Sequence, residues 1–220
     1  MTHPKPGILL VISGPAGSGK GTVVGLLRQM LPGIGLSVSA TTRAPRPGET
    51  HGVHYYYLTR GEFEARIARG EVLEYTEYCG NLYGTLRSEV ERVLGAGQDL
   101  ILEIETTGAM NIKRLFPDAV TVMLLPPDGA TLEARLRGRG TETDDVIRTR
   151  LARAREELAL ADRYDYVALN ETGGAEACAA AVAGILASER MRPGRMKDVV
   201  ENFFSDGAEN ENDTNTAHAE

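Results

Sequence analysis

Five apolar residues, Ile8-Leu9-Leu10-Val11-Ile12, lead through Ser13 into Gly14-Pro15-Ala16-Gly17-Ser18-Gly19-Lys20-Gly21-Thr22. A helical pattern through Val23, Val24, Leu26, Leu27 and Met30 follows. A buried strand, a glycine-rich turn and a helix in that order form the context of a P-loop. There the glycines let successive backbone N–H groups converge on phosphate oxygens, the helix N-terminus adds its dipole, and a lysine supplies a point charge. A glycine-rich turn between a strand and a helix is common by itself. The ordered spacing from Gly14 to Gly19, with Lys20 directly after, is what predicts a phosphate cradle over Gly14 to Thr22.

The residue after Lys20 is Gly21, where the Walker pattern has a Ser or Thr whose hydroxyl contacts magnesium. A metal ion there must be held mostly by nucleotide oxygens and water, in the neighbourhood of Glu103, with no direct protein ligand. The Gly-Lys-Gly-Thr ending is similar to that of nucleotide kinases such as adenylate kinase, and Thr22 can still offer its hydroxyl to a phosphate.

Further buried strands are expected at Leu100 to Ile104 and Ala119 to Leu125, with shorter ones at Leu36 to Ser39 and Tyr166 to Leu169. Between them, Leu86, Val90, Val93 and Leu94 share one helical face, as do Val146, Ile147, Leu151, Ala154 and Leu158. Alternation of strand and helix predicts an α/β fold: a P-loop NTPase-type parallel sheet sandwiched by helices, with its ligand crevice at the strands' carboxyl ends. The stretch 39–85, rich in Arg, Pro, Gly, Tyr and Glu, reads as an inserted lobe. The glycines of Gly138-Arg139-Gly140 suggest hinges of a short lid over about 138–150. The core is then about 7–38 and 86–190, within a single domain over 1–205. Residues 206–220 are polar and acidic, which predicts a disordered tail.

A net charge of −7 argues against a nucleic-acid partner, which would need a basic excess. Cys79 and Cys178 have no metal-ligand spacing and read as small buried thiols in a reducing compartment. No segment reaches the roughly twenty continuous apolar residues of a transmembrane helix. No membrane association and a cytoplasmic location are therefore expected, and the oligomeric state stays open.

The segment Ser37-Val38-Ser39-Ala40-Thr41-Thr42-Arg43-Ala44-Pro45-Arg46-Pro47-Gly48-Glu49 sets two arginines three apart on a proline-stiffened loop, a clamp suited to a dianionic phosphate. This string resembles the acceptor-binding segment S-x-T-T-R-x-P-R-x-G-E of the guanylate kinase family. His51-Gly52-Val53-His54-Tyr55 is similar to the family's G-x-x-Y element and Gly80-Asn81-Leu82-Tyr83-Gly84-Thr85 to its G-N-x-Y-G-[ST]. Leu136 to Thr143 is similar to its lid, and Val167-Ala168-Leu169-Asn170 to its late V-x-N. The resemblance covers about residues 7 to 190, in the family's order.

It implies transfer of a phosphoryl group from ATP to GMP, with Mg²⁺. Arg43, Arg46, Tyr55 and Tyr83 would hold the GMP phosphate, and Ser39, Glu74 and Thr85 would face the guanine. Lys20, Arg43, Arg135, Arg139 and Arg150 would serve catalysis, and Asn170 would contact adenine. Where the family reads L-D-I-D-x-Q-G, this chain has Leu102-Glu103-Ile104-Glu105-Thr106-Thr107-Gly108, so Glu103 and Glu105 keep the charge near metal and acceptor base on longer side chains. Arg137, Arg148, Arg153 and Arg155 read as ordinary solvated arginines. Two other readings are a non-catalytic phospholigand-binding module of the same fold, and a kinase of another small phosphorylated acceptor. The retained Gly14 to Lys20 loop speaks against the first, and the T-T-R-x-P-R and G-N-x-Y-G-[ST] strings against the second.

Overall fold

The structure, a computed structural model, describes residues 7–138 and 143–203. Residues 139–142 of the expected lid, Arg139 among them, and the acidic stretch 206–220 lie outside the described residues. Contacts divide the chain into one unit up to Ala183 and a second from Gly184.

The first unit is built on a five-stranded sheet. Its strands are β1 (Leu9–Ser13), β2 (Gly35–Leu36), β7 (Leu100–Glu103), β8 (Val120–Leu125) and β9 (Tyr166–Leu169), in the spatial order β2-β7-β1-β8-β9 and parallel throughout. β1 is central and buried along its whole length. Side chains alternate across it. Leu9 and Val11 join Leu100, Leu102 and Met123 in a cluster with Val90, Val93, Ala109 and Ile112 of helices α3 (Arg87–Gly95) and α4 (Thr106–Leu115). Leu10 and Ile12, pointing to the opposite face, are equally inaccessible. Apolar runs buried on both faces are what a parallel sheet under helices requires.

A second sheet, in the order β4-β3-β6-β5, carries the inserted segment on β3 (Ala40–Thr41), β4 (Tyr56–Tyr57), β5 (Val72–Tyr78) and β6 (Asn81–Leu86). Helix α2 (Arg60–Ala68) buries Phe63 against Ala40, Leu82 and Leu86 to give this sheet its own small core. Thr59 and Glu62 close α2's first turn as a capping box.

Four local expectations are corrected. The strand expected over Leu36 to Ser39 ends at Leu36, because after Ser37 donates to the Ile101 carbonyl the chain turns away into the second sheet. On α6 (Asp144–Leu158) the buried face is Ile147, Leu151 and Ala154; Val146 and Leu158 flank it and are exposed. β9 lies at the sheet edge, so Val167 and Leu169 are half open to solvent. Cys178 is buried, but Cys79 is exposed with φ 49° beside Gly80 at 74°, the pair of positive values a two-residue hairpin turn between β5 and β6 demands.

Helices α1 (Lys20–Met30) and α5 (Gly129–Arg137) complete the first unit, and α7 (Ala175–Arg190) begins in it. In the second unit, Arg192 and Arg195 pair with Glu189 near the end of α7, ahead of α8 (Lys197–Glu201). Among the described residues, no helix is long and apolar enough to cross a membrane.

Candidate active site

The chain leaves β1 at Gly14 and enters α1 at Lys20. Gly14 has φ 140°, and a Cβ there would meet the Leu124 carbonyl oxygen of β8 at 2.2 Å. Gly19 has φ 90°, and its Cβ would meet Asn170 Nδ2 at 2.4 Å. Both positions disfavour any side chain, and glycine's freedom there is what lets a loop of this kind turn its N–H groups toward an anion. No side chain caps α1 and none of its first-turn residues is acidic, so its N-terminus is left to an anion. Lys20 Nζ donates to the carbonyls of Gly14, at 2.5 Å, and Pro15, at 3.2 Å, which stations its charge over the loop.

Two residues expected to touch nucleotide also hold the loop. Asn170, expected at the adenine, is buried and donates Nδ2 to the Ser18 carbonyl at 2.8 Å. Its place at the end of β9, next to the loop, leaves its amide supporting backbone. Arg135 on α5 donates to the carbonyls of Asn170, at 2.8 Å, and Ser18, at 3.4 Å. Arg150, on α6, lines a cavity of about 370 Å³ with Gly14, Ala16, Lys20 and Glu157. Thr22 is exposed on the first turn of α1.

On the inserted sheet, Arg43 makes a two-pronged ion pair with Glu49, both N–O distances 2.9 Å. Glu49 also accepts from the Tyr57 hydroxyl at 2.8 Å and the Arg46 backbone N–H at 2.7 Å. These donors, the Arg43 bonds first, pull the Glu49 carboxyl from its ordinary 4.5 down to about 2. The Arg43 guanidinium is raised further by the same pairing, with a smaller contribution from Tyr83. It lies 5.4 Å from the Tyr55 ring centre, and Tyr55 and Tyr83 meet edge-on at 6.0 Å. The structure thus brings Arg43, Tyr55 and Tyr83 together. Arg46 is exposed, and its contact with this cluster is through its backbone. Glu49 and Tyr57 were missed as site residues; the glutamate closing the T-T-R-x-P-R-x-G-E string was the available signal.

Below this cluster, Glu74 on β5 stands opposite Thr85 on β6 and accepts its hydroxyl at 2.7 Å. Burial raises the Glu74 carboxyl above its ordinary range, the Thr85 bond opposes that, and the charge of Glu105 adds to it. Glu74, Ser39, Tyr83, Glu103 and Glu105 line a cavity of about 320 Å³, within the range of small-molecule sites. Burial also raises Glu103, against the pull of Lys20.

Glu103, Ile104 and Glu105, where β7 passes into α4, line both this cavity and the one beside Lys20. Two pockets therefore meet at a single wall, at the carboxyl ends of the parallel strands. Arg153, exposed as expected, lines both as well and donates to Glu105 Oε2 at 2.5 Å, a specific partner that the sequence reading did not give it. Helical spacing from Arg150, on the same face of α6, is the signal that could have found it.

A family model described as "Guanylate kinase" matches residues 7–188. The guanylate kinase of Shouchella clausii is 51% identical over 165 residues, which cover 75% of this chain and 80% of that one. The guanylate kinase of Carboxydothermus hydrogenoformans is 44% identical over 190 residues, covering 86% and 92%. The crystal structure of guanylate kinase from Anaplasma phagocytophilum superposes with a TM-score of 0.68 at 32% identity, covering 91% of this chain and 96% of that one. With the family model matching most of its length and relatives sharing half their aligned residues, this chain belongs to the guanylate kinase family.

Proposed function

We infer that this protein is a nucleoside-monophosphate kinase that transfers the γ-phosphoryl group of ATP to GMP, yielding ADP and GDP. The observation that carries the reading is the wall at Glu103 to Glu105, shared by the Lys20 cavity and the Glu74 cavity, which supports a donor site and an acceptor site side by side. Membership of the family supports the acceptor.

In the reaction, an oxygen of the GMP phosphate forms a bond to the γ-phosphorus as the bond from that phosphorus to the β,γ-bridging oxygen breaks, and ADP leaves with the electron pair. The attacking oxygen is already anionic, so no general base is needed and catalysis comes from positioning and charge neutralisation. Lys20 and the loop N–H groups would bind the donor phosphates, with Arg150 beside them. Arg43, Tyr55 and Tyr83 would bind the acceptor phosphate, with Arg46 at the mouth of that site. The guanine would meet Ser39, Glu74, Thr85 and Glu105: its N1 and N2 groups donate hydrogen bonds, and carboxylates accept them. Adenine presents an acceptor at N1 and would leave a buried carboxylate unpaired, which separates substrates by large factors. Arg135 and Asn170 would act by holding the loop. Arg139 belongs to this proposal through its motif alone.

Magnesium fits this site as an ion carried by nucleotide oxygens and water. Gly21 offers no hydroxyl, and among the described residues no three His, Cys, Asp or Glu side chains gather to ligate a metal. Glu103 Oε1 lies 3.7 Å from where a Cβ on Gly21 would stand, and this carboxylate would reach the ion through water. Bound with ATP, the ion would neutralise charge on the donor phosphates. A cytoplasmic role in purine nucleotide metabolism accompanies this reading.

A coupled ADP-release assay with GMP, AMP and UMP as acceptors tests it. GMP should be turned over at least a hundredfold more efficiently than AMP, an estimate of about that order for a site that leaves buried polar groups unpaired with the wrong base. Equal turnover of AMP or UMP would overturn the assignment.

A further inference from the structure

Arg153, with Glu103, Ile104 and Glu105, lines both cavities. Its Nη2 donates to Glu105 Oε2 at 2.5 Å, and its Nε lies 3.3 Å from Glu157 Oε1, one helical turn on. Glu105 faces the acceptor cavity with Ser39 and Glu74, and Glu157 faces the donor cavity with Lys20. Glu157 is largely buried, and its second oxygen has no hydrogen-bond partner. Burial, offset by Arg153 and Lys20, raises its carboxyl. Glu105 precedes the first turn of α4 without capping it, so its carboxylate is not engaged by the helix N-terminus.

The plain alternative is a surface salt bridge. Both partners of the Arg153–Glu105 pair are more than half exposed, and exposed pairs add little to stability. A guanidinium can nevertheless hold two acceptors in one plane, which fixes orientation even where it adds little energy. Orientation is what a carboxylate that reads N–H groups needs, because a misdirected oxygen loses the hydrogen bond.

We propose that Arg153 is a positioning residue for acceptor choice: by holding Oε2 of Glu105 it turns the other oxygen toward the N–H edge of the purine, while its contact with Glu157 ties that posture to the helix walling the donor cavity. The proposal rests on the GMP kinase reading above. It acts through Glu105 and requires no contact between Arg153 and either nucleotide.

The test is steady-state kinetics at saturating ATP for the unmutated protein, Arg153→Ala, Arg153→Lys and Glu105→Asp, and for the Glu105→Asp/Arg153→Ala double variant, with GMP and IMP as acceptors. IMP keeps N1–H and lacks the 2-amino group. Arg153→Ala should raise KM for GMP about tenfold with kcat within about twofold, and should narrow the preference for GMP over IMP. Arg153→Lys should recover part of the loss. In the Glu105→Asp background, where the carboxylate is one methylene shorter, removing Arg153 should have little further effect. An unchanged KM, an equal loss with both acceptors, or a full Arg153→Ala effect in the Glu105→Asp background would each overturn the proposal, as would a kinetic loss matched by a large fall in thermal midpoint. Failure of the unmutated protein to phosphorylate GMP would instead overturn the reading beneath it.

Discussion

A Cβ placed on Gly108 would stand 2.8 Å from Oε2 of Glu74, so the first turn of α4 and the carboxylate assigned to the guanine occupy adjoining space with none to spare. Gly108→Ala should therefore displace Glu74. A flexible side-chain end can move at little cost, and alanine suits a helix better than glycine by about 0.5–1 kcal/mol, so stability should hold or rise. KM for GMP should increase about tenfold while KM for ATP stays near its original value. Thermal melts and two-substrate kinetics on the same preparation check both halves. An unaltered KM for GMP would detach Glu74 from the acceptor.

The raised carboxyl of Glu74 predicts a proton-linked acceptor site. Burial holds its proton to a pH above the ordinary carboxylate range, and only the ionised form can accept the guanine N–H groups. KM for GMP should rise as pH falls through that raised value, and Glu74→Gln should lose this limb while binding GMP weakly throughout. The GMP phosphate titrates identically against both proteins, so the difference isolates Glu74. For stability the sign is opposite to that of a salt-bridged acid. A carboxyl raised on folding contributes fully below its unfolded value and loses that contribution as pH rises through the folded one. Glu74→Gln should thus gain thermal stability relative to the unmutated protein as pH is raised.

Glu49 behaves the other way. Its folded value, about 2, lies below the ordinary 4.5, so its contribution is present above 4.5 and is lost as pH falls toward 2. Denaturation midpoints of Glu49→Gln and the unmutated protein should differ at neutral pH and converge in that acid window. Freed of Glu49, Arg43 should also hold the acceptor phosphate less well, which raises KM for GMP. Midpoints that stay parallel down to the acid limit would show that the pairing does not stabilise the fold.

The donor side offers a test through Asn170, whose amide supports the phosphate loop. Asn170→Ala removes the bond to the Ser18 carbonyl and leaves that buried acceptor with only the longer contact from Arg135. The loss should cost about 1–3 kcal/mol of stability. It should also raise KM for ATP, with KM for GMP little altered. Urea unfolding and kinetics at saturating GMP measure the two effects, and a loss confined to GMP would contradict the placement.

What could be read from residues alone follows how local the cause is. The strand, loop and helix around Gly14 to Lys20 are specified by contiguous apolar runs and by glycines in fixed order, so the cradle and its parallel sheet were legible. Arg43, Tyr55 and Tyr83 were singled out by multi-residue strings, and Glu74 by the family resemblance. The structure gathers Arg43, Tyr55 and Tyr83 in one cluster and sets Glu74 beside Tyr83 in the acceptor cavity. The partners that orient them were not. Glu49 closes the same string as Arg43, but the string did not name it as that arginine's partner, and Arg153 meets Glu105 across 48 positions of sequence, a separation over which spacing pairs no residues. The bond from the Asn170 amide to Ser18, 152 positions earlier, was likewise not legible. Cys79 escaped because hairpin geometry, rather than hydrophobicity, decides its exposure.

The most direct test of the central claim, that a phosphoryl group passes straight between two adjoining pockets, is to follow the label from ATP carrying radioactive phosphorus at the γ position. With GMP present, label should appear as the β-phosphate of GDP, one for each ADP formed, with almost none as inorganic phosphate. Label released mainly as inorganic phosphate, or transferred equally well to AMP, would contradict it.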